Sequence, residues 1–222
     1  MVRNTNLLKI YIMKNEEAFT KMLEITIQNK EDIDEHLLTL FSLVVSMKPK
    51  HIIELGVRSA RSTYAFLFGC HVIGTKLTSV DKDDPLPSLH LPDEWKTNWN
   101  CIKSDSLNFL ENEFPAIWEE RRRTGGIIYI DDWHDGDHVS RELSLISDHV
   151  GPKDLILLHD LMYGNSQPHY RSVDSPEDKQ WDKGGPYKAV SNLDLEVWEY
   201  ATIPRCHGMT ILRKRSEKII SV

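Results

Sequence analysis

HIIELGVRSARSTYAFLFG, residues 51–69, decides the reading of this chain. Ile52-Ile53 opens it as a short apolar run of the kind a buried strand carries. Glu54-Leu55-Gly56 turns sharply, and the residues that follow take helical spacing. A strand, a glycine turn and a helix start form a pocket in which backbone N–H groups and the positive end of a helix meet a ligand. The acid at the strand end is unhelpful for a phosphate. It suits a ligand that brings an amino group or sugar hydroxyls.

Upstream, Ile33, Leu37, Leu40, Phe41 and Val44 fall on one helical face, and Phe19, Met22 and Leu23 predict an earlier helix. Pro49 ends that region. Downstream, Leu77–Asp81 reads as a second buried strand ending in an acid. The Lys82–Lys96 stretch, with Pro85, Pro87 and Pro92, reads as a loop. Cys101–Lys103 is a weak strand, and Ser104-Asp105-Ser106 caps a helix carrying Leu107, Leu110 and Phe114. Gly125-Gly126 precedes the clearest strand, Ile127–Ile130, with Asp131 at its carboxyl end.

A helix is predicted over 136–150, with Val139, Leu143, Ile146 and Val150 on one face, stopped by Gly151-Pro152. The strand Leu155–Leu158 then ends in His159-Asp160. Residues 161–185 read as a long functional loop holding Tyr163, His169, Tyr170 and Trp181. Val197–Ile203 and Met209–Leu212 look like a closing antiparallel pair.

Five strands thus alternate with helices, and most are continuous apolar runs. That pattern predicts an α/β fold, a Rossmann-like parallel sheet covered by helices on both faces. A C-terminal antiparallel pair closes it, and an N-terminal helical extension precedes it. The expected layout is a single domain over 1–222, with helices in 1–48 and the α/β core in 49–222. Glu54, Asp81, Asp105, Asp131 and His159-Asp160 all fall at predicted carboxyl ends of strands, the edge where ligands bind in open α/β sheets.

The chain has 222 residues and a net charge of −7, with 27% charged and 40% hydrophobic residues. That charge argues against nucleic acid or an anionic membrane as partner. The short basic runs Arg121–Arg123 and Arg213–Arg215 read as solvated faces or helix ends. Leu7–Met13 is too short and too polar to span a membrane. Cys70, Cys101 and Cys206 match no metal knuckle and read as reduced thiols of a cytoplasmic protein. The amphipathic N-terminal helices offer a homodimer face as readily as a cover for the sheet.

On these motifs the chain resembles the class I S-adenosylmethionine-dependent methyltransferases, over about residues 33–160. Within them it is similar to the O-methyltransferase group of the macrocin O-methyltransferases and cephalosporin-hydroxylase-like proteins. That group's first motif reads roughly E-x-G-x-x-x-G-x-S-T. Glu54, Gly56, Ser62 and Thr63 match it, and Ala60 stands where the second glycine is usual. Its later motif I-D-G-D-H-S-Y-E aligns with Ile130-Asp131-Asp132-Trp133-His134, with Asp132 for the glycine and Trp133 for the second acid. Val139, Glu142 and Leu143 follow on the helix. The segment is also similar to the L-D-H-W-K of catechol-type enzymes, with His134 in the lysine's place. The L-L-H-D ending is present as Leu157–Asp160.

The resemblance implies S-adenosyl-L-methionine as cofactor. Glu54, Gly56, Ser59, Ser62 and Thr63 would surround its methionine part, with Glu54 holding the amino group. Asp81 would hold the ribose hydroxyls, Asp105 and Ser106 would flank the adenine, and Asp131 would border the site. The acceptor would be a small-molecule or sugar hydroxyl. Two arrangements stay open for its proton. In one, Mg2+ sits on Asp131, His159 and Asp160, although Leu161 stands where catechol-type enzymes carry Asn. In the other, His134 is the general base beside Asp131, or His159 takes that part. Other readings are a nicotinamide-dependent oxidoreductase, disfavoured because Arg58 interrupts any G-x-G-x-x-G, and a non-catalytic S-adenosylmethionine-binding protein.

Overall fold

A computed structural model describes residues 16–84, 91–119, 125–162 and 184–216. The predictions at Leu7–Met13, Pro85, Pro87, Arg121–Arg123 and Tyr163–Trp181 lie outside those residues.

Helix α1 (16–28) and α2 (Leu37–Met47) precede the sheet, with a 3-10 turn at Asp34–His36 between them. Then follow β1 (His51–Leu55), α3 (Arg61–Ile73), β2 (Lys76–Asp81), the one-turn α4 (Asp93–Lys96) and β3 (Trp99–Lys103). The chain continues through α5 (Ser106–Asn112), α6 (Phe114–Glu119), β4 (Ile127–Ile130), α7 (Gly136–Ser147) and β5 (Leu155–Leu158). It closes with α8 (Gly185–Ser191), β6 (Trp198–Ile203) and β7 (Met209–Lys214).

The strands lie in the order β3-β2-β1-β4-β5-β7-β6. The first five are parallel, and β7 joins β5 antiparallel. The period of two along each strand sorts its residues to two cores. Ile52, Tyr129 and Leu157 pack under α2 and α3. Ile53, Leu55, Ile128, Ile130 and Leu158 pack under α5, α6 and α7. Both faces are covered, so the strands carry apolar residues at nearly every position. On the first face Gly69 lets α3 approach α2: a Cβ there would stand 2.6 Å from Val44 Cγ1.

The predicted fold class is observed, with local differences. Helix α8, which the sequence reading did not predict, begins at the end of the 161–185 loop, because Pro186 near its first position presets the helical φ and Gly184 takes φ +86°. Helix α4 interrupts the proline-rich loop and buries Trp95 against Tyr64 and Phe68. The Arg213–Arg215 run is internally paired, with both arginines on Glu199 and Lys214 Nζ donating to the Ser147 carbonyl. Among the described residues no helix is long and apolar enough to cross a membrane.

Candidate active site

A cleft of about 810 Å3 opens at the carboxyl ends of β1, β2, β4 and β5. This is the switch point of the sheet, where β1 runs between β2 and β4 and the chain departs in opposite directions. Asp81, Asp83, Asp84, Asp105, Asp131 and Asp160 line it, against Arg58, Arg61 and Lys82.

The glycine turn is built from both sides. Gly56 takes φ +88°, and its open face lies on the main chain of Asp131 and Asp132. Asp81 Oδ2 accepts the N–H of Val57 (2.8 Å) and of Arg58 (3.1 Å), which fixes the turn from the end of β2. Arg58 and Ala60 adopt φ +46° and +62°, a conformation L-residues avoid and functional loops retain. Ser59 Oγ donates to Glu31, and Arg61 pairs with Glu31 and Asp34. The N-terminal segment is thereby tied to the turn, and Glu31, Asp32 and Ile33 join the cleft wall.

Two predicted cofactor contacts are corrected. Glu54 is fully buried and does not line the cleft. Its carboxylate accepts the hydroxyls of Ser62 (2.7 Å), Thr63 (2.8 Å) and Ser79 (2.5 Å). Burial pushes its carboxyl up to about 7, against the lowering effect of those three hydroxyls. Thr63 is likewise buried with its hydroxyl spent on Glu54. Both residues hold β1, β2 and α3 together, and neither lines the cleft. Gly56, Ser59, Ser62, Asp81, Asp105, Ser106 and Asp131 do line the cleft. Asp105 is also the N-cap of α5, accepting from the N–H groups of Leu107 and Asn108.

Beyond β4 and β5 the structure gathers Asp131, His134, His159 and Asp160. His134 Nε2 is 3.3 Å from Asp131 Oδ1 and 3.0 Å from Asp160 Oδ2. His159 Nδ1 is 3.3 Å from an oxygen of each carboxylate. Tyr129 donates its hydroxyl to Asp131 at 2.8 Å. Asp160 sits at φ +62° and also meets His207 Nδ1 at 3.2 Å. Burial opposes the charge on each group, yet the pairing wins. Both carboxyls lie well below their usual range and His159 well above its own. His134 is held up at about 10, so it carries a proton at neutral pH. His134, Asp131, Asp160 and His207 face the cleft, whereas His159 is buried behind them with its ring edge against His36.

Sequence reasoning missed the contribution of Glu31, Asp32 and Arg61, and it missed His207, which arrives from the β6–β7 turn. His138, within the helix predicted over 136–150, lies in the first turn of α7 and meets Ser106, Asp132 and Glu142. Burial disfavours its charge, but Asp132 and Glu142 hold it at about 10.

Residues 53–161 match the family described as the methyltransferase domain. This segment is a methyltransferase domain. The expectation of a methyltransferase is thereby borne out. No curated protein matches the chain by sequence. Solved structures do share the fold. The S-adenosylhomocysteine-bound methyltransferase PaMTH1 of Podospora anserina is 15% identical, with a TM-score of 0.58 and 96% of each chain covered. A Staphylococcus aureus protein assigned to the caffeoyl-CoA O-methyltransferases is 13% identical with a TM-score of 0.61, covering 97% of this chain and 100% of that one. The mycinamycin-pathway methyltransferase MycE, solved with Mg, S-adenosylhomocysteine and mycinamycin VI, is 15% identical with a TM-score of 0.54. There 86% of this chain covers 51% of MycE. The methyltransferase domain thus contains the glycine turn, Asp81, Asp105, Asp131 and the His159-Asp160 end of β5.

Proposed function

We propose that this chain is an S-adenosylmethionine-dependent O-methyltransferase acting on a small-molecule or sugar hydroxyl, as a single cytoplasmic domain. One observation carries the reading: among the residues lining the cleft at the sheet's switch point, nine carboxylates stand against the three cations Arg58, Arg61 and Lys82. A sulfonium cofactor is cationic at its reacting centre and gains from that field. A nicotinamide dinucleotide would bring two phosphates into it. The binding of S-adenosylhomocysteine by PaMTH1 and MycE supports the same assignment.

In this reading the Gly56–Ser59 turn receives the methionine end of the cofactor, and Asp81 Oδ1, which also accepts the Asp83 N–H, has one lone pair left to receive the ribose diol. Ser106 and Trp133 border the adenine. Methyl transfer from a sulfonium needs alignment and removal of the acceptor's proton. His134 stands at the cleft surface between Asp131 and Asp160 and takes that proton in its neutral form. Asp131 and Asp160 orient the ring, and His159 fixes both carboxylates from behind. Asp131, His134 and Asp160 also bring their ligand atoms within 4.8 Å of one another. They would hold a divalent ion, which when bound would lower the pKa of the acceptor hydroxyl. The single imidazole in that set suits a borderline ion better than magnesium.

Calorimetry with S-adenosylmethionine, S-adenosylhomocysteine and NAD tests the cofactor. Micromolar binding of the first two and none of NAD is expected, and the reverse would discard the reading. Transfer of a labelled methyl group to a panel of catechols and glycosides then tests the reaction.

A further inference from the structure

Three groups of potential metal ligands occur among the described residues. Two share Asp160 and belong to the site above. The third consists of Asp132, His138 and Glu142 and shares no residue with the others.

Asp132 follows β4, and His138 and Glu142 stand one turn apart on α7. His138 Nε2 lies 3.1 Å from Ser106 Oγ, 3.5 Å from Asp132 Oδ2 and 3.4 Å from Glu142 Oε1. The Glu142 side chain is completely buried; His138 Nε2 is its charged neighbour, 3.4 Å from Oε1, and Oε2 has no hydrogen-bond partner. Asp132 Oδ1 is in the same condition. Buried carboxylate oxygens are normally satisfied, and one left without a donor loses the whole of its hydration. Two such acids facing one imidazole therefore point to something that binds between them.

We propose that Asp132, His138 and Glu142 form a site for a divalent transition ion of the zinc class, with the Ser106 hydroxyl at its fourth corner. Tetrahedral ligands at about 2.1 Å from zinc stand roughly 3.4 Å apart. The three separations from His138 Nε2 are of that size, and the ligand atoms of Asp132, His138 and Glu142 all lie within 4.8 Å of one another. Two carboxylates balance the ion's charge, and an imidazole donor selects a borderline ion over magnesium or calcium. Asp132, His138 and Ser106 line the cleft and give the ion a way in, while Glu142 closes the inner side. The bound ion ties the start of α5 and the first turn of α7 to the end of β4. It thereby stiffens the wall on the Ser106 side of the cleft. The site does not require that the chain methylate anything.

The test is equilibrium dialysis of the full chain against zinc chloride, in the absence of any adenosyl ligand. Asp160→Asn removes the residue common to the other two groups. This variant is expected to retain one zinc per chain, and Asp160→Asn combined with Glu142→Gln is expected to retain none. Absence of zinc from the folded first variant, or its undiminished presence in the second, would overturn the proposal. If Asp160→Asn does not fold, the wild type and Glu142→Gln are compared directly. The stoichiometry should fall by one, and zinc should raise the melting temperature more in the wild type. Equal stoichiometry in the two proteins would overturn the proposal. Methyl transfer and dinucleotide binding are read separately, so failure of the functional assignment would leave this result intact.

Discussion

A Cβ on Gly56 would stand 2.2 Å from the main-chain carbonyl oxygen of Asp131. The turn after β1 and the end of β4 therefore touch through backbone alone, and Gly56 also needs φ +88°. Gly56→Ala should destabilise the chain by about 3 kcal/mol, the sum of left-handed strain and overpacking. Urea unfolding measures it. A loss under about 0.5 kcal/mol would show that the two segments can move apart.

Asp81 holds the amides of Val57 and Arg58 as well as facing the cleft. Asp81→Ala should weaken S-adenosylhomocysteine binding by about 100-fold, corresponding to the loss of two or more charged hydrogen bonds. Asp81→Asn keeps one acceptor oxygen and should fall between. Titration calorimetry reads both, and unchanged affinity in the alanine variant would remove Asp81 from the ribose site.

Glu54 gives a pH dependence whose sign follows from burial. Its carboxyl is pushed up from 4.5 to about 7 on folding, so the folded chain binds that proton more tightly than the unfolded chain. The stabilisation is complete below about 4.5 and is lost as pH rises through about 7. It amounts to roughly 3 kcal/mol at about 1.4 kcal/mol per unit. Glu54→Gln stays neutral throughout. The stability difference, wild type minus variant, should therefore drop by about that amount between pH 4.5 and pH 8. A difference that is flat with pH would mean that Glu54 is not titrating in that range.

His134 is protonated at rest because Asp131 and Asp160 outweigh its burial and hold it at about 10. Only the neutral ring can take a proton, so kcat should climb through the alkaline range towards that value. His134→Gln should lower kcat by about 100-fold or more and flatten the profile. Its affinity for S-adenosylhomocysteine should stay within about threefold of the wild type, since in the proposed arrangement the ring faces the acceptor. A wild-type rate level from pH 6 to 9 would assign the proton to another group.

Ile127–Ile130 and Leu155–Leu158 were legible because a strand covered on both faces must be apolar along its whole length, whatever its neighbours. The carboxyl-end acids were legible because parallel connections bring those ends to one edge. Glu54 was misread for a physical reason: its partners Ser62, Thr63 and Ser79 come from α3 and β2, and no spacing along β1 announces them. Ala60 in a left-handed conformation is the position where a relative's glycine would be expected, so the turn was visible despite the substitution. The Asp132–His138–Glu142 group was half legible. The four-residue spacing of His138 and Glu142 puts them on one helix face, but the approach of Ser106 and Asp132 depends on the register between α5 and α7. His207 carried no signal at all, since a β6–β7 turn reaches Asp160 only after the sheet has closed.

The links from Ser59 to Glu31 and from Arg61 to Asp34 bear on how such a protein can be recombined. Grafting a foreign leading segment onto this sheet, in the hope of importing a new acceptor preference, would cut both tethers at once. A chimera would keep its chemistry only if the donor carried acids at the places of Glu31 and Asp34, which makes specificity and cofactor loading inherited together.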